Sequence, residues 1–129
     1  SISQPIGAFY DLLPTISELA GAVIPQTDGK SLVPVLYGKQ AKNTHNFLYW
    51  EFPSYNGQQA VRMGRWKGIR KDMMEGNLAI ELYDLENDPA EQHNLANKHP
   101  DIVERIRKAM EEAHEEPEIA KFKIPVLDK

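Results

Sequence analysis

The sequence predicts an α+β domain: a four-stranded antiparallel sheet packed by a long C-terminal helix, with short helices at the N-terminus. Three observations carry that expectation. Apolar residues switch from helical to alternating spacing near residue 47 and return to helical spacing after residue 100. Between those points four short runs of strand formers are separated by turn residues, one pair of them by only Gly64-Arg65. Finally, Ile102, Ile106, Ala109, Met110 and Ala113 form a clean apolar stripe on one long helix.

The elements follow in order. Asp11 to Ala20 reads as a first helix with Leu12, Ile16, Leu19 and Ala20 on one stripe. Pro14 is tolerated in its first turn and Gly21 supplies the stop. A second short helix is expected from Ser31 to Gly38, after the Asp28-Gly29 turn. Phe47 to Phe52 reads as the first strand, with Leu48, Trp50 and Phe52 sharing a face. Strands follow at about 59–63, 66–70 and 79–85, with 72–77 as the longer connection. In the last strand Ile80 and Leu82 point one way and Glu81, Tyr83 and Leu85 the other. Asp88 is placed to cap a short helical turn, with Pro89 first and Glu91 three residues after the cap. Pro100 opens the long helix, Glu104 and Lys108 can pair along it, and Pro117 stops it. Phe122 to Leu127 is an apolar tail that must dock to be ordered. The expected organisation is one domain over 1–129: a helical junction segment (1–45), the sheet plus helix (46–116) and a tail (117–129).

Composition narrows the function classes. A net charge of −4 over 129 residues argues against general nucleic-acid binding. No apolar run is long enough for a membrane span, and residues 1–5 do not read as a secretory signal. With no cysteine there is no disulfide, thiolate metal site or cysteine nucleophile.

The run Glu81-Leu82-Tyr83-Asp84-Leu85-Glu86-Asn87-Asp88-Pro89-Ala90-Glu91-Gln92-His93-Asn94-Leu95-Ala96 closely resembles the signature near the C-terminus of sulfatases of the alkaline-phosphatase-like superfamily. Three further stretches are similar to that family in its order: Asp11 to Ile16 with Leu19-Ala20-Gly21, Pro25 with Asp28 to Leu32 and Leu36, and Leu48 to Phe52 with Gln59 to Lys67. The resemblance implies the C-terminal subdomain of a sulfuric ester hydrolase, an arylsulfatase-like enzyme acting on a sulfated carbohydrate or aryl alcohol. It further implies a missing N-terminal catalytic domain as partner, with a formylglycine nucleophile and a divalent cation, calcium, in the parent enzyme. It also implies a periplasmic or extracellular setting.

This chain is expected to be catalytically silent alone: no catalytic residue, metal ligand or cofactor of its own is assigned. Ser3-Gln4-Pro5-Ile6-Gly7 has the Ser and Pro of the nucleophile motif but Gly7 where the family has Arg, and reads as chance. The acids Asp84, Glu86, Asp88 and Glu91 read as turn and capping chemistry, since Pro89 and Leu95 stand where a calcium loop needs Gly and Glu. For His45, His93, His99 and His114 surface or capping roles are expected, with His114 solvated on the acidic helix. The candidate substrate-binding residues are Ser54, Tyr55, Asn56, Gln58 and Gln59, which join polar groups to an aromatic between the first two strands. The same composition equally suits an ordinary hairpin loop. Trp50 and Trp66 read as core or interdomain packing rather than sugar platforms. An alternative is a free-standing module that binds an acidic ligand through Arg62, Arg65, Lys67, Arg70 and Lys71, ten residues without an acid. Those cations also suit a solvated strand face. Apolar surface left open by the missing domain would promote self-association.

Overall fold

The computed structural model describes residues 5–40 and 45–128. The chain falls into two compact units, Ser1–Leu48 and Tyr49–Lys129.

In the first unit a 3-10 turn at Phe9–Asp11 leads into α1 (Leu12–Leu19), and α2 is a single turn, Val33–Leu36. Gly21 at φ 66° ends α1 in a Schellman motif, its own amide bonding Glu18 and the Ala22 amide reaching Ser17. The buried face of α1 is not its apolar stripe. Pro14 and Thr15 are buried, whereas Leu12, Ile16 and Leu19 are exposed. Hydrogen bonding decides this orientation. The Asp11 carboxylate is fully buried and accepts the Ala8 and Lys30 amides, both at 2.7 Å. Thr15 donates to the Asp11 carbonyl at 2.6 Å and accepts the Leu32 amide at 2.9 Å. The Asp28-Gly29 turn therefore lies against the start of α1, so close that a β-carbon on Gly29 would sit 2.2 Å from the Tyr10 carbonyl oxygen. His45 completes the cluster, its Nε2 2.7 Å from Asp11 Oδ1 and its ring edge-on to Tyr10. It is a largely covered partner of Asp11 rather than the surface or capping group expected.

The second unit is built on a four-stranded antiparallel sheet in the order β1 (Leu48–Phe52), β2 (Gln58–Met63), β3 (Trp66–Arg70), β4 (Glu81–Asp84). Val61 pairs with Gly68, and Gly68 with Leu82. Alternation puts Val61, Gly68 and Leu82 on the face covered by α3 (Pro100–Ala113). Val61, Leu82, Ile106, Met110 and Ile124 are fully buried and form the core with Met73 and Ala109. Gly68 permits the contact: a β-carbon there would lie 2.5 Å from Ile106 Cγ2. Trp66 packs against His99 with the rings tilted by 52° and their centroids 4.9 Å apart.

Two sequence expectations change here. Asp88 accepts the amides of Gln92 and His93 rather than those of a first helical turn, and Glu91 takes φ 55°. A left-handed residue cannot continue a helix, so residues 89–99 are turns and Glu91 turns to pair with Lys67. The same segment protects the sheet edge: Asn94 Oδ1 accepts the Leu82 amide at 3.1 Å and Leu95 donates to the Leu82 carbonyl at 2.8 Å. The long helix ends at Ala113, four residues before Pro117, because His114 leaves helical geometry at ψ 129°.

Candidate functional site

The β1–β2 connection is a fixed projection. Tyr55, Asn56 and Gly57 take φ of 54°, 65° and 77°, three successive left-handed residues. Only Gly adopts that geometry freely; Asn tolerates it, and an aromatic residue there is strained by about 1–3 kcal/mol. The strain is held by bonds to the turn after β3. Met73 and Met74 donate their amides to the Gly57 and Asn56 carbonyls at 3.2 and 3.0 Å. The Asn56 amide nitrogen bonds Asp72 at 3.1 Å and Glu75 at 2.8 Å. Gly57 is packed against Met73, whose Cβ would lie 3.2 Å from an added β-carbon, and its φ of 77° disfavours any side chain there. The result is a Tyr55 ring that is 81% exposed on an anchored backbone. Ser54 is exposed beside it, and Gln58 bonds the Tyr55 carbonyl at 3.5 Å. Ser54, Tyr55 and Asn56 thus share one loop, with Gln58 at the start of β2 beside it, and an aromatic plate lies next to hydroxyl and amide groups.

Gln59 is separated from these four. It is 1% exposed, on the helix-facing side of β2. Its Nε2 donates to Tyr49 Oη at 2.8 Å and Glu51 Oε2 at 3.0 Å, and its Oε1 accepts Arg70 Nη1 at 3.2 Å. Glu51 also accepts the Tyr49 hydroxyl and lies 2.8 Å from His114 Nδ1. His114 Nε2 lies 2.9 Å from Asp128 Oδ1 in the tail. His114 is therefore clamped between two carboxylates, not solvated as expected from its acidic helix. Burial, reinforced by the Glu51 charge, pushes the Tyr49 phenol far above its ordinary value, so it remains a donor. Burial pushes the Arg70 guanidinium down, and its Nε has no hydrogen-bond partner among the described residues. A cavity of about 280 Å³ adjoins this network, with Arg70, Gln59 and His114 in its wall and Leu78, Val126 and Leu127 as apolar lining. Sequence reading missed Tyr49, Glu51, Arg70, His114 and Asp128 as a group. One signal was present: Tyr49 and Glu51 alternate with Leu48, Trp50 and Phe52, so one strand face had to carry an acid that needed partners.

The basic hairpin forms no single cationic face. Arg65 makes a double hydrogen bond with Asp84 and reaches Glu86 at 3.1 Å. Lys67 pairs with Glu91, and Lys71 with Glu81 at 2.7 Å. Arg70 is buried on the helix side. Arg62 donates to the Gly64 carbonyl at 3.3 Å. It borders a cavity of about 390 Å³ on the other sheet face with Trp50, Phe52, Ala60, Lys67 and Leu85. Three of the five cations are thus matched by carboxylates supplied from 81–91. Asp84 is held well below the usual carboxylate range by Arg65, helped by Asn87 and the Glu86 amide. Each acid of the former calcium-loop candidate is used in this way or as a turn acceptor. Among the described residues no three His, Asp or Glu side chains gather in a metal-ligating cluster.

An antiparallel sheet backed by a long helix, preceded in the chain by a helical segment with its apolar stripe exposed, defines a small α+β layer architecture. Residues 6–116 match the family described as "N-sulphoglucosamine sulphohydrolase, C-terminal", and the chain belongs to this family of sulfatase C-terminal domains. It is 33% identical to the ulvan-active sulfatase of Formosa agariphila, over 85% of this chain and 29% of that protein. It is 37% identical to the Delta 4,5-hexuronate-2-O-sulfatase of Bacteroides thetaiotaomicron, over 74% of this chain and 20% of the relative. The solved structure of a 2-O GAG sulfatase superposes with a TM-score of 0.69 at 35% identity, covering 79% of this chain and 23% of that one. The chain thus spans less than a third of the curated relatives it matches.

Proposed function

We propose that this chain is the C-terminal subdomain of a sulfuric ester hydrolase acting on a sulfated carbohydrate, with the reacting groups carried by an N-terminal catalytic domain. The observation that carries the reading is the exposed apolar surface of the first unit. Phe9 is 86% exposed, Ile16 60%, Val23 93% and Leu36 64%. Exposed apolar side chains of this size, carried by one unit, are suited to being covered by an adjoining domain. In the absence of the catalytic domain they favour self-association, which light scattering on the isolated chain measures; a monodisperse monomer counts against it.

The second element of the proposal is the β1–β2 loop. Ser54, Tyr55, Asn56 and Gln58 line the substrate cleft of the whole enzyme, Tyr55 stacking on a sugar ring and its neighbours bonding hydroxyls. Gln59 supports them from the buried network. The carbohydrate class is supported by the names of the relatives, an ulvan-active and a hexuronate-2-O-sulfatase. Family membership implies calcium and formylglycine for the whole protein. In this reading both are carried by the N-terminal domain, and no chemical step is routed through this chain. No helix among the described residues is long and apolar enough to cross a membrane. The setting proposed is periplasmic or extracellular, where polymeric sulfated glycans are met.

The test uses the full-length enzyme and the isolated chain together. The chain alone leaves an aryl sulfate intact; metal-dependent turnover by it overturns the reading. In the full-length enzyme Tyr55→Ala lowers kcat/KM on the sulfated saccharide about tenfold or more while leaving a small aryl sulfate unaffected. Equal kinetics on both substrates refutes the role of the loop.

A further inference from the structure

We propose that His114, held as an imidazolium between Glu51 on β1 and Asp128 near the C-terminus, is a proton-dependent latch that fastens the tail segment 120–128 to the sheet. Both ring nitrogens face carboxylate oxygens, Nδ1 at 2.8 Å from Glu51 Oε2 and Nε2 at 2.9 Å from Asp128 Oδ1. A neutral imidazole has one N–H and one lone pair, so it satisfies only one of the two. The carboxylates themselves act as acceptors: Glu51 Oε2 also receives Tyr49 Oη and Gln59 Nε2, and Asp128 Oδ2 receives the Ile124 amide at 2.7 Å. Only the doubly protonated ring completes the set. His114 stands at the end of α3, where a positive charge also complements the helix dipole.

The latch has a mechanical consequence. The tail buries Ile124 completely and contributes Val126 and Leu127 to the wall of the Arg70 cavity. Besides the clamp, this segment is held by the burial of Ile124, by a Lys123–Glu116 ion pair and by a local turn in which Leu127 and Asp128 donate to the Ile124 carbonyl, both at 2.9 Å; the clamp is the polar tie that carries it to β1. Opening the clamp therefore loosens the tail and uncovers buried Arg70 and Gln59.

The charged and polar neighbours come from every packed element: Tyr49 and Glu51 from β1, Gln59 from β2, Arg70 from β3, Glu111 from α3, and from the tail Asp128 with Lys123, a cation near enough to feel Asp128 that is itself paired with Glu116. Glu111 is itself paired with Arg107. The Tyr49 phenol is shifted up and stays neutral, and Arg70 keeps its charge at any physiological pH. Across neutral pH His114 is the member that changes state. Burial lowers its affinity for the proton, but the bonds to Glu51 and Asp128 outweigh this and raise its pKa above 6.5. A raised folded value means that the latch is fully closed below about 6.5 and is lost as pH rises through the higher folded value.

The experiment is NMR on the 129-residue chain. Long-range nitrogen spectra report the His114 ring, and amide exchange corrected for intrinsic rates reports Leu127 and Asp128 against Val61 in the β2–β3 ladder. Expected are two ring protons at about pH 6 and a fall in tail protection of about tenfold or more by about pH 9, with ladder amides nearly unchanged. Asp128→Asn should lower the ring titration and leave the tail weakly protected at every pH. The ladder amides show whether that variant remains folded, and the parent spectra decide the question if it does not. A singly protonated ring at pH 6, or tail protection that tracks the ladder throughout, overturns the proposal.

Discussion

Replacing Gly68 by Ala tests the seat of the long helix on the sheet. The added methyl would lie 2.5 Å from Ile106 Cγ2, 3.1 Å from Ile106 Cδ1 and 3.3 Å from Ile80 Cγ2. Comfortable carbon contacts are about 3.5–4.0 Å, so the Ile106 methyl must retreat by about 1 Å. It cannot swing away cheaply, because a β-branched side chain in a helix keeps one dominant rotamer. Ile106 is fully buried, so α3 must move with it and loosen the packing of Ala109 and Met110. Overpacking of this kind costs about 1–3 kcal/mol, offset in part by about 0.5–1 kcal/mol for removing a flexible Gly from a strand. A net loss of about 1–2 kcal/mol is expected, a fall in Tm of roughly 5–15 °C for a unit of this size. Urea unfolding followed by Trp66 fluorescence measures it. The decisive comparison is the double variant. Ile106→Ala removes both obstructing methyls and alone costs about 2–5 kcal/mol. Adding Gly68→Ala on that background should then cost nothing, giving a coupling of about 1–3 kcal/mol. Additive losses, or a Gly68→Ala protein within about 0.5 kcal/mol of the parent, refute the close-approach argument.

Three other outcomes follow from the same structure. Gly29→Ala places a methyl 2.2 Å from a backbone oxygen that cannot yield, so the Lys30–Asp11 and Leu32–Thr15 bonds should break, seen as accelerated exchange of both amides. Asn94→Ala leaves the Leu82 amide at the sheet edge without its acceptor and should cost about 1–3 kcal/mol in urea unfolding. The buried Asp11 carboxyl is opposed by desolvation, but the Lys30 and Ala8 amides and His45 hold it below its ordinary 3.8. Its stabilisation is thus present above about 3.8 and lost as pH falls through the lower folded value, so Asp11→Asn should flatten the acid limb of amide protection at Lys30.

The four-stranded antiparallel sheet, the long helix packed on it and the family were legible in the sequence because each rests on local chemistry. Alternation at Tyr49–Phe52 and Ala79–Leu85, a two-residue turn at Gly64-Arg65 and the 3.6-residue stripe of α3 are all short-range patterns. The polar chemistry was less legible. Arg70 was grouped with its basic neighbours, yet strand alternation sends it inward to Gln59. Glu91 reads as a capping-box acid, but its left-handed backbone turns it to Lys67. The α1 stripe reads as a core face and is exposed, because the buried Asp11 and Thr15 bonds outrank local apolar spacing in orienting that helix.

By itself the sequence determined the element types, their order and the membership of the chain among sulfatase C-terminal domains. Tertiary structure decided which polar groups meet. Glu51, Gln59, Arg70, His114 and Asp128 are spread from one end of the second unit to the other and share no local pattern. Only the folding of β1, β2, β3, α3 and the tail onto one another brings them within hydrogen-bond reach. The physical reason is range. Hydrophobic periodicity and turn geometry act between residues a few positions apart and can be read along the chain. A buried charge finds its partners only where the packed fold leaves no water to take their place.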